Sequence, residues 1–535
     1  MSDNPPLKPE QLRPYCDPKQ FTFKTTDDLQ RLETVIGQDR ALASVQFLIG
    51  IEQTGYNLFA LGISGTGKRA VIQEILEKHA NGKEKKVFDW CYINNFSDPQ
   101  KPLLIQLPAG MGPALKKDME ALCEDLQTTL PTILESEEYR KEKFRLEEKL
   151  KEQHQKKFEK IRKDAEKEDL TILSTPEGFV VVPTSAGKVL TSEQLEELPK
   201  KKRKEKEKKV SAFHNRLASL LSELPQIHKE IREQQRELRE EYVMLVAGGM
   251  IDELKDKYKK FPKVVEYFEA AKEDVIATGD EFWEEEKTIQ GELGLAFTVK
   301  PSFIRYEVNA FVTQEKKDEV PIIYEDNPTF ANLIGRIDHI SQLGALVTDF
   351  TLIKAGALAQ ANGGYLFLDA HKVLAHPESW DALKRTLYAQ KITIESIGQR
   401  LGLLNTISLE PETIPLDLKI ILLGERFIYD LLFNLDPEFR ELFKITADFS
   451  TDVARKSESD LNYAQFLATM IEREKLKPFD REAVARVIDQ SARSVGDAER
   501  LSLHMRSVAN LLREADYWAS QRKSDIVGKE DVQKA

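Results

Sequence analysis

Cysteine is scarce. Cys16, Cys91 and Cys123 are the only three in 535 residues, far apart and without a C-x-x-C pair. That argues against a disulfide framework or a zinc knuckle and fits a reducing cytoplasm. No run of about 18 apolar residues occurs, so no membrane-spanning helix is expected. The N-terminal stretch MSDNPPLKPEQLRPYCDPKQ lacks the apolar core of a secretory signal. The eight histidines are scattered and no H-E-x-x-H is present, which leaves metalloprotease chemistry without support. Net positive charge is missing too. At −12, the chain disfavours a general nucleic-acid-binding surface and leaves room only for a local basic patch.

What is present is a chain with 41% hydrophobic and 31% charged residues, of soluble intracellular character and long enough for about three domains. Its charge is unevenly spread. From Glu135 to Glu168 there is no Gly or Pro, and good helix formers dominate. Leu150, His154, Phe158, Ile161 and Ala165 mark a thin apolar seam at helical spacing. A second helical stretch runs from about Ser192 to Leu245, with Phe213, Leu217, Leu220, Leu224, Ile227, Ile231 and Leu238 on one face and a kink expected at Pro225. Between them, LTILSTPEGFVVVPTSAGKVL reads as strands broken by turns. The expectation is an antiparallel pair of long helices with a hairpin tip, an arm of about 45 Å for a 30-residue helix. A compact helical domain is the alternative. The basic run Lys200–Lys209 is interleaved with Glu205 and Glu207, and reads as a solvated helix face rather than a localisation or nucleic-acid signal.

Strands alternate with helices on both sides of this stretch, as in a mainly parallel sheet covered by helices. After about Thr451 only helical patterns remain. The fold class expected is α/β: strand-and-helix stretches at residues 1–110 and 299–450, a helical stretch between them at 111–298, and a helical subdomain at 451–535.

The stretch GISGTGKRA meets the phosphate-loop pattern at Gly62, Gly67 and Lys68, after a strand and before a helix. Gly62, Gly65, Thr66, Gly67, Lys68 and Arg69 are the candidate cradle, with backbone N–H groups turned toward phosphate oxygens. Arg69 stands where a Ser or Thr hydroxyl normally holds Mg²⁺. The apolar strand of GGYLFLDA ends at Asp369, the candidate Mg²⁺ carboxylate. Ala370 follows it, where many such ATPases carry a water-polarising Glu.

ETVIGQDRALASVQFLIG, the phosphate loop, AGALAQANGGYLFLDA and DPEFRELFKITADF together resemble the AAA-plus ATPase part of Lon-like proteases. The likeness is to the bacterial branch whose ATPase core is interrupted by a coiled-coil insertion. It implies ATP and Mg²⁺ as cofactors, although Arg69 puts the metal in question. By position it implies that Ile36, Gly37 and Gln38 line the adenine pocket, and that Gly424 and Glu425 fall where a polar sensor contacts the γ-phosphate. It puts an arginine finger at or near Leu442, with Arg440 a nearby candidate, and lid sensor arginines at Arg500 and Arg506. A surface ion pair is the alternative role for each arginine.

The resemblance further implies a cytoplasmic hexameric ring that threads unfolded protein toward a Ser–Lys peptidase, in protein quality control. Leu343, Leu346 and Val347 in DHISQLGALVTDF are candidates for gripping substrate, with core packing as the alternative. The sequence stops at KSDIVGKEDVQKA with no serine in a nucleophile context, so truncation at the domain junction is expected, with a member lacking its own peptidase as the alternative, and peptide-bond cleavage is not expected. Arg69, Ala370 and the displaced finger point to nucleotide binding with weak or no hydrolysis. The competing expectation is a nucleotide-gated coiled-coil scaffold of the kind found in DNA repair, which rests on architecture alone.

Overall fold

The computed structural model describes the chain apart from residues 1–5, 7, 9–14, 31–35, 81–86, 176–177, 186–187, 191–199, 280–286, 291–295, 300–302, 315–318, 343–344, 396–408 and 456–458. It divides into two compact units, Met1–Lys116 with Val308–Ala535, and Lys117–Glu307.

The first unit is built on five parallel strands: β1 (Leu58–Leu61), β2 (Ile322–Glu325), β3 (Tyr365–Asp369), β4 (Lys419–Gly424) and β5 (Ile445–Asp448). Their spatial order is β2-β3-β4-β1-β5. The runs LFAL and IILL are continuously apolar because a parallel sheet is covered on both faces. β1 pairs on both sides, Leu58 opposite Ile421 in β4 and opposite Ile445 in β5. Asn57 fixes this register. Its side-chain amide donates to the Leu442 carbonyl at 2.8 Å, and its carbonyl oxygen accepts from the Ile420 N–H at 2.8 Å. On one face, Phe59 meets Tyr429 and Phe439 edge-on within a core that includes Trp380 and Phe443.

A separate antiparallel sheet sets Phe88–Ile93 between Leu103–Pro108 and Val308–Val312. The buried Asp89 carboxylate accepts from the N–H groups of Gly112 and Gln314, both at 2.8 Å, and so ties the two ends of the chain that flank the insertion.

The lid comprises helices Ser459–Arg473, Arg481–Val495, Met505–Gln521 and Lys529–Lys534. Asp480 caps the second of them, and Gly496 ends it in the left-handed region at φ 74°. Part of the segment expected with the first half of the core packs into the lid instead: Cys16, Phe21 and Phe23 join Tyr463, Phe479 and Val487. The Cys16 N–H donates to Asp489 at 2.8 Å, and Thr26 exchanges bonds with the backbone of Phe479. These residues are apolar in an otherwise polar stretch, and the lid offers them a buried face.

In the second unit the 31-residue helix Glu137–Lys167 is answered by two helices, Lys200–Ser222 and Leu224–Lys257. Where a kink within one helix was expected, the helix stops and restarts at Glu223, with Pro225 in the new first turn. There its missing N–H costs nothing. Glu223 receives Lys157 at 2.9 Å, and Gln235 donates to Glu147 at 2.7 Å. The hairpin Leu170–Thr175 with Gly178–Ser185 closes one end, burying Leu170 and Val181 against Ala165, Phe213 and Leu217. In the basic run, Arg203 pairs with Glu207 at 2.9 Å and Lys209 pairs with Glu168.

Candidate functional site

At the carboxyl ends of β1, β3 and β4, the sheet edge opens into a cavity of about 800 Å³ roofed by the lid. Such an edge is where open α/β sheets take ligands. The phosphate loop follows β1. Gly62, Gly65 and Gly67 have φ of 155°, 98° and 72°, backbone that only glycine adopts without strain. Thr66 is buried, its hydroxyl donating to the Ile63 carbonyl at 3.0 Å.

Lys68 opens helix Lys68–Ala80. Its ammonium donates to the carbonyls of Gly62 and Gly424, the latter at 3.0 Å. Burial lowers its pKa below the ordinary 10.5, and the carboxylates of Asp369 and Glu425 oppose that shift. Arg69 lays its guanidinium over the Tyr324 ring on β2, 4.2 Å from the centroid. Tyr324 donates to Asp326 at 3.0 Å, and Lys372 pairs with Asp326 at 2.6 Å, holding that carboxyl below its usual range.

Asp369 ends β3 and caps the following short helix, its Oδ1 accepting from the Lys372 N–H at 3.2 Å. Ala370 is fully buried. A Cβ placed on Gly424 would lie 3.2 Å from the Ala370 Cβ. The position after the acidic residue therefore points into packed core between β3 and β4. Glu425 follows β4, at the N-cap of helix Arg426–Leu435, and faces the cavity.

The lid reaches the loop directly. The Arg506 N–H donates to the Gly65 carbonyl at 3.1 Å, and His504 Nε2 donates to the Ser64 carbonyl at 2.9 Å. The tautomer follows from the other ring nitrogen: Nδ1 accepts from the Ser507 N–H at 3.1 Å, so Nε2 carries the proton. From the lid, Arg473, Glu474, Arg506 and Arg513 also line the cavity, with Arg513 paired to Glu474 at 2.8 Å.

The candidates read from the sequence divide in this arrangement. Gly65, Gly67, Lys68, Arg69, Asp369, Glu425 and Arg506 line one cavity. Arg500 lies on the strand Arg500–Ser502 and pairs with Asp452. Arg440 stacks over Phe433 at 5.3 Å. Gln38 is buried, exchanging two bonds with the Ser450 backbone at 2.9 Å, and a Cβ on Gly37 would lie 3.0 Å from Val453. Ile36 packs on the lid core. Leu343 falls outside the described residues, while Leu346 and Val347 lie on the hairpin Ile340–Gln342 with Ala345–Val347 and are exposed. Sequence reading passed over Tyr324, His371, Arg473, Glu474 and Arg513. His371 directly follows AGALAQANGGYLFLDA, one of the stretches that carry the family likeness.

Mg²⁺ requires near-octahedral oxygen ligands, and in P-loop enzymes a hydroxyl and a carboxylate supply them. Here the hydroxyl is replaced by the cationic Arg69, and Asp369 already accepts from a backbone N–H. The residues present do not fit Mg²⁺.

Parallel sheet, glycine loop, acidic strand end and helical lid define a P-loop ATPase module of the AAA-plus class. Residues 318–450 match the family described as LonB-like, AAA domain. Residues 478–535 match the archaeal LonB AAA+ ATPase lid domain, and residues 89–122 match the Lon-like LonC helical domain. The archaeal Lon protease of Thermoplasma volcanium is 26% identical over 230 residues, covering 41% of this chain and 34% of that protein. That of Archaeoglobus fulgidus is 28% identical over 230 residues, covering 41% and 36%. The match thus spans about a third of those relatives' length. Among solved structures, NtrX from Brucella abortus in complex with ATP gives 16% identity and a TM-score of 0.26, covering 39% of this chain and 42% of that one. RuvB of Thermotoga maritima gives 14% and 0.21, covering 33% and 45%. Over residues 318–450 and 478–535 the chain is thus similar to the AAA-plus core and lid of Lon-like proteins.

Proposed function

We propose that this chain is the nucleotide-binding, substrate-handling part of a Lon-like protease, working as a hexameric ring that passes unfolded protein toward a Ser–Lys peptidase. The observation that carries this reading is the convergence of Lys68, Asp369, Glu425 and Arg506 on one cavity over the phosphate loop. Binding is favoured by loop N–H groups and the helix terminus. Turnover is expected to be weak or absent, because the place for a water-polarising Glu is a buried Ala370 and the metal ligand is missing.

Substrate contact falls to the hairpin that precedes β3. Ile340, Leu346 and Val347 are apolar yet 55%, 53% and 40% exposed, with Ile340 opposite Val347 across the strand pair. A hairpin of this kind suits transient grip on extended polypeptide, whose side chains vary in sequence but share apolar surface. The test is a photo-crosslinking residue at Leu346 and, as a control, at the exposed Phe47. Expected is capture of an unfolded model protein at position 346 alone, and light scattering that gives six chains per particle. Equal capture at both positions, or a monomer, overturns the reading.

A further inference from the structure

The cavity is more cationic than a metal-dependent phosphate site requires. Lys68, Arg69, Arg473, Arg506 and Arg513 face only three carboxylates, Asp369, Glu425 and Glu474. Arg513 is neutralised by Glu474. Among the described residues, Arg69, Arg473 and Arg506 make no ion pair. Arg69 is held by its stack on Tyr324, a contact that leaves its N–H donors unspent. Three guanidiniums from three elements, the loop helix, one lid helix and the start of another, therefore line the same space without a direct ion pair, Arg69 feeling the Asp326 carboxylate only through space.

Fixed cations in a partly enclosed cavity do for a polyphosphate what Mg²⁺ does: they neutralise adjacent oxyanions and fix their orientation. A guanidinium does so through parallel N–H···O bonds and needs no water shell. A magnesium ion in the same space would be repelled by Arg69 and would find the carboxylates of Asp369 and Glu425 without the loop hydroxyl that metal-dependent sites carry. We infer that this site takes the metal-free form of a nucleoside di- or triphosphate, with Arg69, Arg473 and Arg506 holding the phosphate chain where P-loop enzymes use Mg²⁺. The inference rests on the nucleotide reading above and deepens it.

The ligand's charge then decides preference. Free nucleoside triphosphate carries about two more negative charges than its magnesium complex, so adding Mg²⁺ competes with the protein for the phosphates. Arg69 is the discriminating residue, because Arg69→Thr restores the hydroxyl that metal-dependent loops carry.

Equilibrium binding of a fluorescent N-methylanthraniloyl ATP to the chain, in excess EDTA and in excess Mg²⁺, tests this, with inorganic tripolyphosphate as competitor. Expected is binding in EDTA at least as tight as in Mg²⁺, and displacement by tripolyphosphate. Arg69→Thr is expected to weaken the EDTA affinity about tenfold, the loss of one charge-assisted contact, while Arg69→Lys retains most of it. Unfolding curves of each variant confirm that the fold is intact. Binding that requires Mg²⁺, or an EDTA affinity unmoved by Arg69→Thr in a folded protein, overturns the inference and leaves the nucleotide site standing. Absence of binding in both buffers, with Lys68→Ala indistinguishable from the parent chain, overturns the nucleotide reading itself.

Discussion

The backbone N–H of Arg506 and the carbonyl of Gly65 meet at 3.1 Å, joining the first turn of a lid helix to the phosphate loop. Two residues further along the loop, a Cβ on Gly67 would lie 2.4 Å from the Met505 sulfur, at a backbone φ of 72°. Gly67→Ala therefore meets two costs at once, strain in the left-handed region and a clash with the lid. The expected outcome is a loss of about 1–3 kcal/mol in urea unfolding, together with faster hydrogen exchange at residues 505–510. Unchanged exchange there would show that the lid does not lean on the loop.

Lys68 gives the site a pH dependence of known sign. Its pKa is lowered in the folded protein, so between that value and the ordinary 10.5 the unfolded chain binds more protons than the folded one. Stability attributable to Lys68 accordingly rises with pH through that alkaline window. Anion binding runs the other way, since it favours the ammonium. Nucleotide affinity is expected to fall as pH rises toward 10.5 from below, with proton uptake on binding seen by calorimetry in buffers of different ionisation enthalpy. Lys68→Arg should flatten the profile.

Ala370→Glu is the substitution that a sequence alignment of ATPases would suggest to restore hydrolysis. The structure gives a different expectation. Ala370 is buried against the Gly424 backbone, so a carboxylate there enters the core without a partner. The variant should lose about 2–4 kcal/mol of stability and gain no phosphate release in a coupled assay. Robust turnover in a stable Ala370→Glu chain would show that β3 and β4 can part to admit the side chain.

Asn57 is a test of the sheet itself. Replacing it with Leu keeps volume and removes both polar ties, leaving the Ile420 N–H without its acceptor inside the sheet. About 2–3 kcal/mol is expected to be lost in equilibrium unfolding, whereas Asn57→Asp should retain the Ile420 bond and lose the Leu442 one.

The cysteines should be inert in the native state. Burial is the main cause that pushes the thiols of Cys16, Cys91 and Cys123 up to about 12. At pH 8 the thiolate is then roughly one part in ten thousand. Ellman's reagent is expected to report three thiols in urea and to react slowly with the folded chain, and rapid native labelling of any one would place it in a more open setting.

Much of the fold was legible because its signals are local. The apolar runs of β1, β3 and β4 and the glycine loop announce a buried parallel sheet with a phosphate cradle. The uninterrupted charge of Glu137–Lys167 announces a long exposed helix. What lay beyond reading depends on distant partners. Nothing in the stretch around Cys16 tells that it seals the lid, nor does Gln38 disclose that its amide is consumed by Ser450. Arg500 and Arg506 are six apart in one motif, yet only the packing of Met505 on Gly67 decides which of them faces the cavity. Tyr324 acquires meaning only once β2 lies beside the loop helix and gives Arg69 a surface to rest on.

The strand order carries a consequence for how the protein is made. β1 is synthesised before the helical unit, but the strands that flank it, β4 and β5, are encoded after that unit. At about 5–20 residues per second, the roughly 380 residues between Leu61 and Ile445 take some 20–80 s to synthesise. Throughout that interval an apolar four-residue strand and its glycine loop have no neighbours to pair with. The intervening Lys117–Glu307 unit is compact by itself, so it can fold while the nucleotide site waits. Nascent chains of this design should therefore lean on chaperones at the N-terminal half, and should acquire nucleotide affinity only when translation passes β5.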